Sequence, residues 1–198
     1  SNNEAFRKAA CNVHVEVLRY LKEEFGLTAD DARARNNEAL RKAAMFGRLE
    51  VLKYLKEEFG LTAVDAREHN NRVLRYAVSG GHIDVLRYLK EGFGLTADDA
   101  RARNNAALMH AASNGHVEVL SYLKERFGLT ADDARARNNE AFRNAACNGH
   151  VEVLRYLKEE FGLTTDDARD CNNEALKWAA WNGHIEVLKY LKEGFRLT

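Results

Sequence analysis

The chain has 198 residues, and its 30 Lys plus Arg balance 30 Asp plus Glu, so the formal charge is zero. A cleft that tracks a nucleic-acid backbone carries a clear basic excess, and no apolar run approaches the ~20 residues needed to cross a bilayer, so neither nucleic acid nor membrane is an expected partner. Three irregularly spaced cysteines are too few for a disulfide framework and are expected to be reduced thiols of a cytosolic-type compartment.

There is no signal peptide, and the chain opens inside a repeating unit without a Met, as a piece of a longer protein would. The unit recurs every 34 residues, with copies starting at Asn2, Asn36, Asn70, Asn104, Asn138 and Asn172. Self-similarity at such a period is the signature of a solenoid whose units pack only on their neighbours. A lone unit buries too few apolar side chains to offset the entropy of ordering itself. The whole chain, 1–198, is therefore read as one repeat domain.

Positions within a unit are counted from its initial Asn, and the fifth copy shows the elements in order. Positions 3 to 10, Glu140 to Cys147, are expected to form a short first helix with Ala141, Phe142, Ala145 and Ala146 as its buried stripe. An Asn-Gly pair stops it, the Gly suiting a left-handed cap. A second helix is expected from about His150 to Phe161, with Val151, Val153, Leu154, Leu157 and Phe161 inward and Glu152, Arg155, Lys158 and Glu159 outward. On the same outer face of the fourth copy, Lys124 is expected to be solvated. Leu163, after Gly162, should fold back on the core.

The connector between units reads Leu129 to Arg137 in the fourth copy. Thr130 with Asp133 three residues on resembles a capping box, and Asp132, Asp133, Arg135 and Arg137 complement a helix dipole. A third, two-turn helix is expected here. The invariant Asn pair then ends it and caps the next unit.

The run Ala111-Ala112-Ser113-Asn114-Gly115-His116-Val117-Glu118-Val119-Leu120 resembles the core of the ankyrin repeat, and all six copies share it. Where ankyrin repeats carry Thr-Pro-Leu-His this chain has Glu38 to Arg41 or a variant, and the spacing is 34 rather than 33. The chain is similar to the divergent ankyrin arrays of protists and giant viruses. The resemblance implies an all-α ankyrin-like solenoid in which a short helix replaces the β-hairpin finger. Tetratricopeptide repeats share the period, but their Trp/Gly/Tyr/Pro pattern is missing. TAL-effector repeats also begin with Leu-Thr, but their base-reading loop has no counterpart where Asn-Gly is nearly fixed.

His14, His82, His116, His150 and His184 form a ladder, one to a unit. Metal ligands must converge at ~2 Å on one ion, whereas equivalent positions in a stack stay a layer apart, so these histidines are expected to be structural. The carboxylate pairs, such as Asp132-Asp133, are explained by their place at a helix start. No nucleophile–base constellation or phosphate loop is present. The chain is accordingly read as non-enzymatic, with no cofactor and no metal.

What remains is variation. The second helix is nearly fixed, whereas the first changes at positions 3, 6, 7, 10 and 11. In ankyrin proteins the first helices line a concave groove, and the resemblance implies a protein or peptide partner held there. The candidate contacts are Met45, Phe46, Arg72, Tyr76, Ser79, Met109, His110, Ser113, Trp178 and Trp181, of which Met45, Phe46, Tyr76, Met109 and His110 form a partly apolar patch. Two alternatives stand beside this reading. One is a structural array self-associating end to end through terminal repeats that lack polar caps. The other is an engineered or consensus-like scaffold with no natural ligand.

Overall fold

A computed structural model describes residues 2–12 and 14–197, and these contain twelve α-helices and no strand. Two compact units, residues 1–99 and 100–198, divide the chain. The first holds α1 (Asn2–Cys11), α2 (Val15–Phe25), α3 (Ala29–Met45), α4 (Leu49–Phe59), α5 (Ala63–Gly80) and α6 (Ile83–Glu91); α7 (Ala97–Ser113) begins at its edge. The second holds most of α7 with α8 (Val117–Phe127), α9 (Ala131–Cys147), α10 (Val151–Glu159), α11 (Thr165–Trp181) and α12 (Ile185–Phe195). In the first unit α1 packs on α3 and α3 on α5, while α2, α4 and α6 stack in a second row. In the second unit α9 packs on α11, and α8, α10 and α12 form the row behind. The fold is the all-α ankyrin-like helical-repeat arrangement, with a helix where the β-hairpin finger would be.

The apolar periodicity translates directly into the core. Ala141, Phe142, Ala145, Ala146, Val153, Leu154, Leu157, Phe161 and Leu163 are all buried, and Val151 is half-buried. Each Asn-Gly or equivalent pair turns the chain through a left-handed glycine, as at Gly115 with φ 77°. The Phe side chains stitch neighbouring repeats together edge to face: Phe6 meets Phe59 at 5.1 Å between ring centroids, and Phe142 meets Phe195 at 5.0 Å.

The long helices α3, α5, α7, α9 and α11 each join two segments across a kink. In α9 the connector helix runs from Ala131 to Arg135, Ala136 is extended, and Arg137, Asn138 and Asn139 are all left-handed, with φ 57°, 56° and 55°. The connector helix is thus shorter than the two turns expected. The Asn pair also works differently from an N-cap, which sits in the β region. Asn is among the few side chains that tolerate the left-handed region, where other L-residues are strained by ~1–2 kcal/mol. Asn pairs stand where the chain must reverse its hand twice in succession.

The turn is held by side chains from both directions. Arg41 Nε donates to the Asn36 carbonyl at 2.8 Å and its Nη2 to the Arg35 carbonyl at 2.9 Å. Arg143 repeats this clamp on Asn138 and Arg137 at 3.0 and 3.1 Å. The fully buried Asn37 donates to the Asp65 carbonyl, in the connector that closes the same repeat, at 3.4 Å.

A second polar device runs between repeats. Arg33, Arg67, Arg101 and Arg135 each grip the Asp that lies 32 residues ahead, with Nε–Oδ1 distances of 2.7, 2.9, 2.9 and 2.9 Å. The same guanidinium donates to the carbonyl of the left-handed Gly that ends the intervening second helix. The Asp also completes the expected capping box, as Asp133 does with the Thr130 amide at 2.8 Å. Of the Asp132-Asp133 pair, only Asp133 is buried and engaged in this way, while Asp132 is exposed. Lys124 is likewise not merely solvated: its Nζ reaches Glu160 at 2.6 Å and lies over the Phe161 ring.

Val13, which replaces the turn glycine in the first repeat, lies outside the described residues. A difference between the first repeat and an inner one follows without it. Tyr20 is 58% exposed whereas Tyr54 is 7% exposed, because the Tyr–Phe edge of each repeat is covered by the repeat before it. Amides of the span Asn2 to Tyr20 should therefore exchange faster with solvent deuterium than those of Asn138 to Tyr156. Equal protection in the two spans would show that the outer neighbour contributes nothing to the repeat's local stability.

Candidate partner-binding face

The histidine ladder is accounted for by the packing between repeats. The Nε2 atoms of His82, His150 and His184 lie 3.0, 3.0 and 2.9 Å from the carbonyls of Met45, Ser113 and Cys147, at position 10 of the preceding repeat. In the second repeat Arg48 stands in the histidine's place, and its Nε donates to the Cys11 carbonyl at 2.9 Å. At position 11, Asn148 and Asn182 donate to the same acceptors, Ser113 and Cys147, at 2.9 and 3.1 Å, whereas Asn114 donates to the His110 carbonyl of its own helix at 2.8 Å. Among the described residues no cluster of three His, Cys, Asp or Glu side chains is placed to hold a metal ion, and the three cysteines are free.

Positions 3 and 6 are also part of the packing in the regular repeats. Arg7 pairs with Glu38 of the next repeat at 2.8 Å, and Arg143 pairs with Glu174. Hydrogen bonds from the Trp178 indole and from Arg143 hold the Glu174 carboxyl below its usual value. Positions 3, 6 and 11 are therefore not idle surface, since each has a regular occupant with a defined contact.

Three of the candidate residues, Phe46, Arg72 and Met109, are departures from those occupants, and the rest stand at positions 7 and 10. Within the first unit, Phe46 replaces the position-11 Asn and is 41% exposed, beside Met45 at 38%. Lys42 Nζ sits 5.8 Å from the Phe46 ring centroid. Arg72 replaces the position-3 Glu and places its guanidinium 5.5 Å from the Tyr76 ring centroid. Ser79 is half-buried beside Gly80, where an added Cβ would come within 2.6 Å of both the His82 ring and the Met45 carbonyl. Gly80 thus permits the close seating of His82 on Met45.

Within the second unit, Met109 replaces the position-6 Arg and supplies no clamp to its turn. Glu140 of the next repeat, without that Arg, pairs with Arg137 at 2.9 Å instead. Met109, His110 and Ser113 are half-buried, and the Ser113 carbonyl is the acceptor for Asn148 and His150. Trp178 and the 82%-exposed Trp181 line a shallow hollow of about 300 Å³ with Cys171, Glu174 and Lys177. The structure brings Met45, Phe46, Arg72 and Tyr76 onto adjacent, mutually packed helices α3 and α5. Trp178 and Trp181 belong to a separate place on α11. The residues that sequence reasoning missed are Arg48, the position-11 asparagines and the position-6 arginines. Their signal was present as polar residues recurring at fixed positions, but their partners lie about a repeat away.

The architecture defines a class of protein, the helical-repeat binders built of stacked helix pairs. The model of ankyrin repeats (three copies) matches residues 61–134 and 108–198, which together cover more than half of the chain, and the chain belongs to the ankyrin-repeat family. It is similar to the X-ray structure of an ankyrin repeat family protein from Legionella pneumophila, with 19% identity, 97% of this chain and 69% of that one covered, and a TM-score of 0.51. At that identity the likeness concerns the fold alone. No curated protein matches the chain. Ankyrin repeats generally mediate protein–protein interactions, and no helix among the described residues is long and apolar enough to cross a membrane.

Proposed function

We propose that this chain is a non-enzymatic protein-recognition array that holds a protein or peptide partner on its first helices, with Met45, Phe46, Arg72 and Tyr76 on α3 and α5 as the contact face. The observation that carries the reading is the pattern of sacrificed contacts. Phe46 forgoes the hydrogen bond that Asn148 and Asn182 make to the preceding repeat. Arg72 forgoes the ion pair that Glu38 and Glu174 make, and Met109 forgoes the clamp that Arg41 and Arg143 make. Hydrogen bonds of this kind contribute ~0.5–1.5 kcal/mol each, and the replacements are large, partly exposed side chains. Aromatic anchors with cations beside them are the side chains that dominate interface energetics.

The test begins with a pull-down that compares the array with one whose positions 7, 10 and 11 are set to Asn, Ser and Asn throughout. With the recovered partner, Phe46→Ala and Tyr76→Ala should each weaken binding about tenfold or more in calorimetry, and circular dichroism should be unchanged. Phe46→Asn should abolish the anchor yet leave stability equal or higher by about 1 kcal/mol, because the regular hydrogen bond is regained. Arg87→Ala, on the exposed outer face of α6, should change affinity little. If Arg87→Ala weakens binding and the two aromatic changes do not, recognition lies on the second helices. Light scattering across a concentration series separates partner binding from end-to-end association, which would give masses that climb with concentration.

A further inference from the structure

The chain is neutral overall, yet its charge is not evenly spread. From Ala39 to Arg48 and from Asn70 to His82 there is no acidic residue, while Arg41, Lys42, Arg48, Arg72 and Arg75 all fall in those two stretches. The second helices that follow are mixed, with Glu50, Lys53, Lys56, Glu57 and Glu58 in one and Asp84, Arg87, Lys90 and Glu91 in the other. The corresponding first helices of repeats five and six are balanced by Glu140 with Arg143 and by Glu174 with Lys177. The first helix of repeat three, from Asn70 to Gly80, thus carries two arginines and no acid, and that of repeat two carries Arg41 and Lys42 beside a Glu38 that pairs back with Arg7, so positive charge accompanies Met45, Phe46 and Tyr76 on this face.

The arginine clamp shows what this charge lacks. In Arg143, Nε and Nη2 hold the two turn carbonyls and Nη1 takes the carboxylate of Glu174. In Arg41 the same two nitrogens hold the Asn36 and Arg35 carbonyls. Its Nη1 is therefore the nitrogen positioned for a carboxylate, but the next repeat offers Arg72 where Glu174 stands in the sixth. Two guanidinium groups stand where the first and fifth repeats each have an ion pair to the next, Arg7 with Glu38 and Arg143 with Glu174. Lys42 and Arg72 lie over the rings of Phe46 and Tyr76, so apolar and cationic surfaces alternate.

We infer that the occupant of α3 and α5 is an acidic peptide segment of a protein partner, one carboxylate lying between Arg41 and Arg72 where other repeats have their own Glu. Apolar side chains of the same segment rest on Met45, Phe46 and Tyr76. The inference builds on the first-helix binding face proposed above and adds the chemistry of what binds there. Recognition of acidic motifs by arginine clusters supplies both attraction and register. A nucleic-acid strand is the competing polyanion, but its phosphates offer no apolar side chains to rest on Met45, Phe46 and Tyr76.

The test uses three probes titrated by fluorescence anisotropy: a synthetic peptide alternating Glu with Leu and Phe, the same peptide with Gln for every Glu, and a single-stranded oligothymidylate. The acidic peptide alone should bind the wild-type chain, and its affinity should fall about tenfold or more between low and high salt as the charges are screened. Arg72→Glu gives Arg41 an internal carboxylate, so it should fold at least as stably while weakening the acidic peptide about tenfold or more. No binding of the acidic peptide, equal binding of the Gln peptide, tighter binding of the oligonucleotide, or unchanged affinity in Arg72→Glu each overturns the inference. If either peptide binds in a way that Phe46→Asn abolishes and Arg72→Glu does not, the acidic chemistry fails and the first-helix face stands. If binding is indifferent to both and is lost in Arg87→Ala, the face itself is wrong.

Discussion

Leu120→Ala is expected to destabilise the protein by about 2–5 kcal/mol, the range for a buried Leu whose removal leaves a cavity. Leu120 is 0% exposed on α8 and occupies a position that is Leu in every repeat. It is flanked in the row of second helices by α10, so the cavity opens between packed side chains that have no means to close over it. The form of the transition is as informative as its midpoint. Stability in a repeat array is a sum of weak units and the interfaces between neighbours. Weakening one inner repeat should therefore let the flanking repeats unfold separately, and the denaturant slope of each phase should fall with the surface it exposes. Urea titration followed by circular dichroism and by tryptophan fluorescence reads this directly, because both tryptophans lie in the last repeat. Wild-type traces from the two probes should coincide, while those of the variant should separate. A single sharp step at the wild-type midpoint would remove this leucine from the core.

How much of this was legible in the sequence depends on the reach of each interaction. The stripe of Ala141, Phe142, Ala145 and Ala146, the left-handed glycines and the Thr130–Asp133 capping box depend on residues within one turn or two of each other, and period and turn chemistry suffice to place them. The Asn pair was read as a cap because Asn favours caps, but the same short side chain also tolerates the left-handed region, and three left-handed residues in a row have no local signature. The Arg–Asp ladder was harder still. Asp133 and Arg135 each look satisfied by their own helix dipole, and only stacked repeats reveal that Asp133 belongs to Arg101 and Arg135 to Asp167. Lys124 is the same case, solvated by pattern and bound to Glu160 by geometry. The candidate face is proposed for a related reason. Phe46, Arg72 and Met109 stand out only as departures from a regular set, and the structure shows what contact the regular residue makes at each of these positions.

Asp133→Asn is expected to cost about 2 kcal/mol at neutral pH, through loss of the charged hydrogen bonds that join the third and fourth repeats. Burial pushes the Asp133 carboxyl up, but the Arg101 hydrogen bond and the two Thr130 donors together outweigh it and hold the group below its ordinary value of 3.8. Arg101 is 36% exposed at its side chain, so water softens its loss of partner and keeps the figure at the lower end for buried pairs. Asp65, Asp99 and Asp167 are held down in the same way by Arg33, Arg67 and Arg135. A carboxyl that binds its proton less tightly when folded than when unfolded adds stability above its ordinary value, and that stability is lost as pH falls through the lower, folded one. The array should therefore hold a plateau at mild pH and lose stability steeply below pH 3.8. The Asn variant carries one proton-linked group fewer, so its acid limb should be shallower, and the gap to wild type should narrow as the pH drops. Chemical denaturation at a series of pH values from neutral downward measures both quantities. A gap that stays constant into the acid range would mean that Asp133 acts through its shape and neutral hydrogen bonds, with its charge contributing nothing to the joint between repeats.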